Sequence, residues 1–301
     1  MRTEQITPAV CGLGEGPVWD SVSGSLLCVD LLAGDVLRLR PDGDVRRHRT
    51  GLETVGALRP RRGGGFVLAA ARGFAYTDDD LSSVEVLPDL WNDRGVRMND
   101  GACDPHGRFL AGSMAYDARP GGGGLFRLHP SGAVEQVLDN VTISNGIDWS
   151  PDGSLAYYVD TPTQRIDVFD DDGTGLSDRR PFVQIPADAG SPDGITVDAD
   201  GGVWVALWGG AAVHRYDPSG VLSAVVEVPA THVTACAFGG PGLDQLYVTT
   251  SRDGDQRRHP RARHGAEGAV HVAEASGLRG LPPRVFGDRQ PNTAPDDKDP
   301  C

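Results

Sequence analysis

"SPDGITVDADGGVWVALWGG" (residues 191–210) restates "SNGIDWSPDGSLAYYVDT" (residues 144–161) almost phrase for phrase. Each opens on an acid or amide followed by Gly, runs through apolar residues to a polar turn, and ends in a second apolar strand. Working outward from this pair, alignment on the small residue after the opening position gives Glu15-Gly16, Val55-Gly56, Asp100-Gly101, Asn145-Gly146, Asp193-Gly194 and Thr234-Ala235. The steps between them are 40, 45, 45, 48 and 41 residues. Second strands follow, such as "FLAGSM", "LAYYVD", "VWVALW" and "LYVTTS". Third strands such as "DVLRLRPDG", "GLFRLHPSG" and "AVHRYDPSG" end in turns closed by Gly. Units of 40 to 50 residues with four short strands are what a propeller blade requires, so the repeat predicts an all-β, six-bladed β-propeller. A β-sandwich of loosely similar hairpins does not explain a phase held over about 220 residues.

Composition agrees. The 301 residues include 41 Gly and 22 Pro, too many for a helical protein, and short apolar runs are bounded by Gly, Asp and Pro. We expect one domain over residues 1–286 and a disordered tail over 287–301, where apolar content nearly vanishes. Closing the ring requires its ends to be joined, and "EQITPAV" (residues 4–10) can supply the outer strand of the last blade.

The formal net charge of −14 disfavours nucleic acid and anionic membranes as partners, and the basic run "RRHPRARHG" (257–265) reads as a solvated loop. Five scattered cysteines without C-x-x-C spacing read as reduced, buried thiols. "MRTEQITPAV" lacks the apolar core of a signal peptide and no stretch approaches a spanning helix, so a cytoplasmic location is expected. The expected state is a monomer or a weak homo-oligomer.

Equivalent positions of successive blades are related by rotation about the central channel. Glu15, Asp100, Asn145 and Asp193 should therefore face one small mouth, with Val55 and Thr234 completing the ring. Carboxylates crowded in this way raise one another's pKa unless a cation sits among them. Oxygen-only donors suit Ca²⁺ best, with Mg²⁺, Mn²⁺ and Zn²⁺ also admissible, so the metal ion in the central channel is expected to be divalent. Other motifs rank lower. "DDDGTG" (170–175) lacks the ligand spacing and closing Glu of an EF-hand and reads as a hairpin turn. "GGGG" (121–124) precedes a strand and reads as a flexible hairpin tip. His232, just before the Thr234 position, is read as hydrogen-bonded and non-ligating.

"GEGPVWD", "RMNDGACDPHGRFLAGSM", "SNGIDWSPDG", "SPDGITVDADGGVWVALWGG" and "CAFGGPGLDQLYVTTSRDG" together resemble the regucalcin-like family of senescence marker proteins, gluconolactonases and luciferin-regenerating enzymes. The resemblance covers roughly residues 11–286 and falls in five of six blades. It implies one divalent metal held by Glu15, Asn145 and Asp193, three of the four positions that the repeat phase selects. It also implies that Arg97 and Asn99 hold a sugar lactone, with Asp100 beside the metal, bonded to substrate or water. Where a sugar-binding Glu often ends the G-T/S-M-A-x-E stretch, this chain has "GSMAYD", which places the shorter Asp117 there as a substrate contact.

The expected function is metal-dependent opening of a small-molecule sugar (aldono) lactone to its hydroxy acid, with Asp193 as general base, assisted by Asp100. Two alternatives stand beside it: hydrolysis of another ester or a phosphotriester at the same open metal, and a non-catalytic calcium-binding propeller. Three protein ligands favour catalysis; a fourth from Asp100 favours a structural ion.

Overall fold

Each repeat unit folds as one four-stranded antiparallel sheet, and a computed structural model describes this arrangement for residues 1–252 and 266–287. Among these residues there are six such sheets and no α-helix. The innermost strands are Gly14–Asp20, Val55–Pro60, Val96–Cys103, Ser144–Trp149, Ser191–Val197 and Val233–Gly239. In the first five blades the strand order outward follows the chain. In the sixth, the outermost place is taken by Glu4–Gln5, which pairs with Val270–Glu274. The strand is shorter than the seven residues expected, but the segment around it is tied down too. Thr3 N donates to Glu227 O of blade five, and Ile6 N and Val10 N donate to Val270 O and Gly268 O of blade six.

Alternation along the strands sends apolar side chains to both faces of every blade, and the cores lie between neighbours. Leu27, Val29 and Val36 of blade one pack with Leu58, Phe66 and Leu68 of blade two. Trp204 and Val213 of blade five pack with Cys236, Leu246 and Val248 of blade six. Cys11, Trp19, Leu26 and Val270 join blade six to blade one across the closure.

The D-x-x-G turns have a specific use. Asp198 Oδ1 accepts from Asp200 N and Gly202 N, while Oδ2 accepts from Trp204 Nε1 at 2.8 Å and Arg215 Nε at 2.7 Å. One buried carboxylate therefore closes a hairpin and satisfies a core indole and a buried guanidinium.

In all six innermost strands the register against the second strand shifts at the repeat position: Glu15/Val18, Val55/Ala57, Met98/Gly101, Ser144/Ile147, Pro192/Ile195 and Val233/Ala235. A bulge of this kind re-aims the side chain it carries. The small residue that follows is needed because neighbouring inner strands nearly touch there. A Cβ on Gly56 would lie 1.9 Å from Asn99 O, and one on Gly146 would lie 2.5 Å from Ile195 N.

Residues 279–287 cross the far end of the channel. Ala199 N donates to Arg279 O, Arg284 Nη1 binds Asp148 Oδ1 at 3.1 Å, and Gly287 N donates to Gly107 O. Gly287, the first residue of the expected tail, is thus bonded to blade three. The basic run 257–265, residues 288–301 and Cys301 lie outside the described residues. Cys11, Cys28, Cys103 and Cys236 are buried. "DDDGTG" is a hairpin turn in which Asp172 Oδ1 accepts from Thr174. Of the "GGGG" run, Gly123 and Gly124 belong to the strand Gly123–Leu128 instead of a tip. No helix among the described residues is long and apolar enough to cross a membrane.

Candidate metal centre

Glu15, Asn145 and Asp193 open three inner strands at one end of the channel, where they line a cavity of about 620 Å³ with Arg97 and Asn99. All five side chains are buried. The other three repeat positions do not line it. Val55 joins the core between blades one and two, and Thr234 Oγ1 bonds Gly14 O and Thr249 Oγ1. Asp100 is buried, accepts from Gly101 N at 2.7 Å, and feels the charges of Arg59 and Asp148. In blade three the register shift spans Met98 to Gly101, and it is Asn99 that reaches the cavity while Asp100 does not.

A relay of side chains fixes the donors. Arg97 Nη1 donates to Asn99 Oδ1 at 2.6 Å, and Asn99 Nδ2 donates to Asn145 Oδ1 at 2.7 Å. Asn145 Nδ2 donates to Thr161 Oγ1 at 2.7 Å, and that hydroxyl spends its proton on Pro192 O at 2.8 Å. The hydroxyl oxygen can then only accept from Asn145, which sets the amide so that its oxygen, with a second lone pair, remains available.

Two carboxylate oxygens, Glu15 Oε2 and Asp193 Oδ1, are buried without a hydrogen-bond partner. Burial pushes the Glu15 carboxyl well above its ordinary range, and the charges of Asp193 and Asp100 push it further. Asp193 is raised well above its range by burial and then by Asp100, and Asp100 is raised by burial. Arg97 relieves part of this strain; burial lowers its own pKa. Among the described residues no three His, Cys, Asp or Glu side chains gather closely enough to hold a metal, so Asp100 is not a third carboxylate beside Glu15 and Asp193.

Asp117 is not brought to the cavity. The chain turns out after Ala115, and the Asp117 carboxylate, largely exposed, pairs with Arg119 at 3.3 Å. Its neighbours Tyr116 and Ala118 line the wall instead. His232 is also off the wall; its ring packs on that of Trp208, centroids 4.5 Å apart. Sequence reasoning missed Leu13, Ile143 and Ser191, although each stands two residues before Glu15, Asn145 or Asp193 and the same repeat arithmetic finds them. Met114 and Trp208, near the ends of second strands, complete the wall.

A family model described as the SMP-30/Gluconolactonase/LRE-like region matches residues 13–252. The chain belongs to this family. It is 35% identical to regucalcin of Xenopus laevis over 295 residues, which is 95% of this chain and 98% of that one. Luciferin-regenerating enzyme superposes with a TM-score of 0.85 at 30% identity, covering 92% of this chain and 95% of the other. A calcium-binding protein, regucalcin, from Agrobacterium tumefaciens superposes with a TM-score of 0.84 at 28% identity, covering 95% and 98%.

The residues present suit the divalent ion that the family implies. Two anionic oxygens without partners and one amide oxygen held by its neighbours form an all-oxygen donor set, and a bound cation would remove the cost of burying both carboxylates charged.

Proposed function

We propose that this protein opens a lactone to its hydroxy acid with the help of one divalent metal ion, Ca²⁺ first and Zn²⁺, Mn²⁺ or Mg²⁺ as alternatives. The observation that carries this reading is the pair of partnerless, buried carboxylate oxygens of Glu15 and Asp193 at the floor of an open cavity. Glu15, Asn145 and Asp193 would hold the ion, which when bound supplies Lewis acidity at the lactone carbonyl. Asp193 Oδ1 accepts a proton from the attacking water as the water oxygen bonds to the carbonyl carbon. The ring C–O bond then breaks, and the same proton returns to the departing alkoxide, leaving a hydroxyl at one end and an acid at the other. Arg97 Nε, buried without a partner, is a donor free to orient the substrate, and Asn99 holds Asn145 in place. Asp100, away from the cavity wall, acts on this site through its charge on Glu15 and Asp193.

The test is acid release from a panel headed by D-glucono-δ-lactone, in metal-stripped protein and after each ion is restored. Asp193→Asn should lower kcat/KM by roughly 10²- to 10⁴-fold. Full turnover in that variant with metal retained would remove the assignment. A calcium-binding role without catalysis is the second reading, favoured by the description of the Agrobacterium neighbour. Tight Ca²⁺ binding with no turnover of any lactone would select it.

A further inference from the structure

The cavity is divided by chemistry. Glu15, Arg97, Asn99, Asn145 and Asp193 are buried at its floor, whereas Met114, Ile143 and Trp208 are only half-buried and Tyr116 is exposed at its rim. The rim is therefore mostly apolar. Its hydroxyls are those of Thr161, whose oxygen is already bonded to Asn145 and Pro192, of Ser191, and of Tyr116 at the exposed outer edge.

An aldonolactone carries hydroxyls around most of its ring and needs donors and acceptors on several sides. The carboxylate expected to meet them, Asp117, points to Arg119 and solvent. Hydroxyls turned toward Trp208, Met114 and Ile143 would lose water without gaining partners, which is unfavourable. The apolar wall is also fixed in place. Trp208 packs its ring, tilted, against that of His232 and forms a backbone bridge to the same residue, and Met114 bridges to Ile143 of the next blade. A cavity of about 620 Å³ leaves room well beyond one six-membered ring.

We propose that the lactone taken here carries an apolar alkyl or aryl substituent, with its carbonyl at the polar floor and its substituent against Trp208, Met114 and Ile143, in preference to polyhydroxylated aldonolactones. This rests on the lactonase reading above. Burial of a five-carbon chain against such a wall supplies binding that a sugar ring cannot obtain there.

Lactams separate binding from turnover because they resist hydrolysis. Calorimetric titration of the Ca²⁺-loaded and the metal-free protein with 6-pentyl-2-piperidinone and with D-glucono-δ-lactam should show the alkyl lactam binding at least tenfold tighter. Trp208→Ala and, independently, Ile143→Ser should each narrow that gap severalfold or more; Ile143 is half-buried, so its replacement leaves folding intact. Equal or tighter binding of the gluconolactam, or no binding of either lactam, overturns the proposal. Hydrolysis of δ-decalactone and D-glucono-δ-lactone is measured alongside. Tight alkyl-lactam binding with no hydrolysis of either lactone removes the hydrolase reading and leaves this specificity standing. Hydrolysis with preference for the sugar lactone does the reverse.

Discussion

Asn145 presents its oxygen to the channel because its nitrogen is committed to Thr161, whose proton is in turn committed to Pro192 O. Partners at this remove typically change metal affinity by about 10- to 100-fold. Thr161→Val keeps the shape but removes the acceptor, so Ca²⁺ affinity measured by calorimetry should fall within that range while the circular dichroism spectrum is unchanged. Unaltered affinity would mean that the amide needs no such support. Glu15, Asn145 and Asp193 were legible in the sequence because a rotation-related repeat converts a shared phase into a shared place. Asp100 has the same phase, yet it is Asn99 that lines the cavity. The register shift in blade three sets which of two adjacent side chains turns to the mouth, and spacing alone carries no such information. Asp117 was misplaced for a similar reason: where a turn sends a side chain depends on backbone angles, here with Ala118 at φ +52°.

The closing strand is only two residues long, but the segment around it ties blades five and six together and adds Ile6 and Val10 to the core beside blade one. Removing residues 1–10 exposes the edge of Val270–Glu274 and opens that core. Loss of a few kcal/mol in a chain of this size corresponds to a fall in Tm of about 10 °C, which calorimetry should detect. An unchanged Tm would show that the ring holds without its clasp. At this scale the strands themselves were readable, since alternation and Gly-closed turns mark each one. The strap over residues 279–287 was not, because "GLPPR" has neither strand periodicity nor a repeat counterpart, and its path is defined by tertiary contacts such as those with Asp148, Ala199, Pro60 and Gly107.

For the whole molecule, the channel end is a store of unfavourable charge. Glu15 and Asp193 hold their protons more tightly in the fold than in the unfolded chain, where carboxyls titrate near about 4. Their contribution to stability in the metal-free protein is therefore full below that pH and is lost as pH rises through their elevated folded pKa values. Metal-stripped wild type should lose more Tm between pH 5.5 and 8 than the Glu15→Gln, Asp193→Asn double variant. Added Ca²⁺ should raise Tm more at pH 8 than at pH 5.5, since the ion competes with those protons. Equal slopes in wild type and variant would place the pH dependence elsewhere.

The central claim is that repeat geometry gathers Glu15, Asn145 and Asp193 into one divalent-metal site. Anomalous diffraction from crystals soaked in Mn²⁺ tests it most directly. The account predicts one strong peak bounded by oxygens of those three residues, absent in Asp193→Ala crystals. No peak there, or a peak beside Asp100 and Asp148 instead, would contradict it.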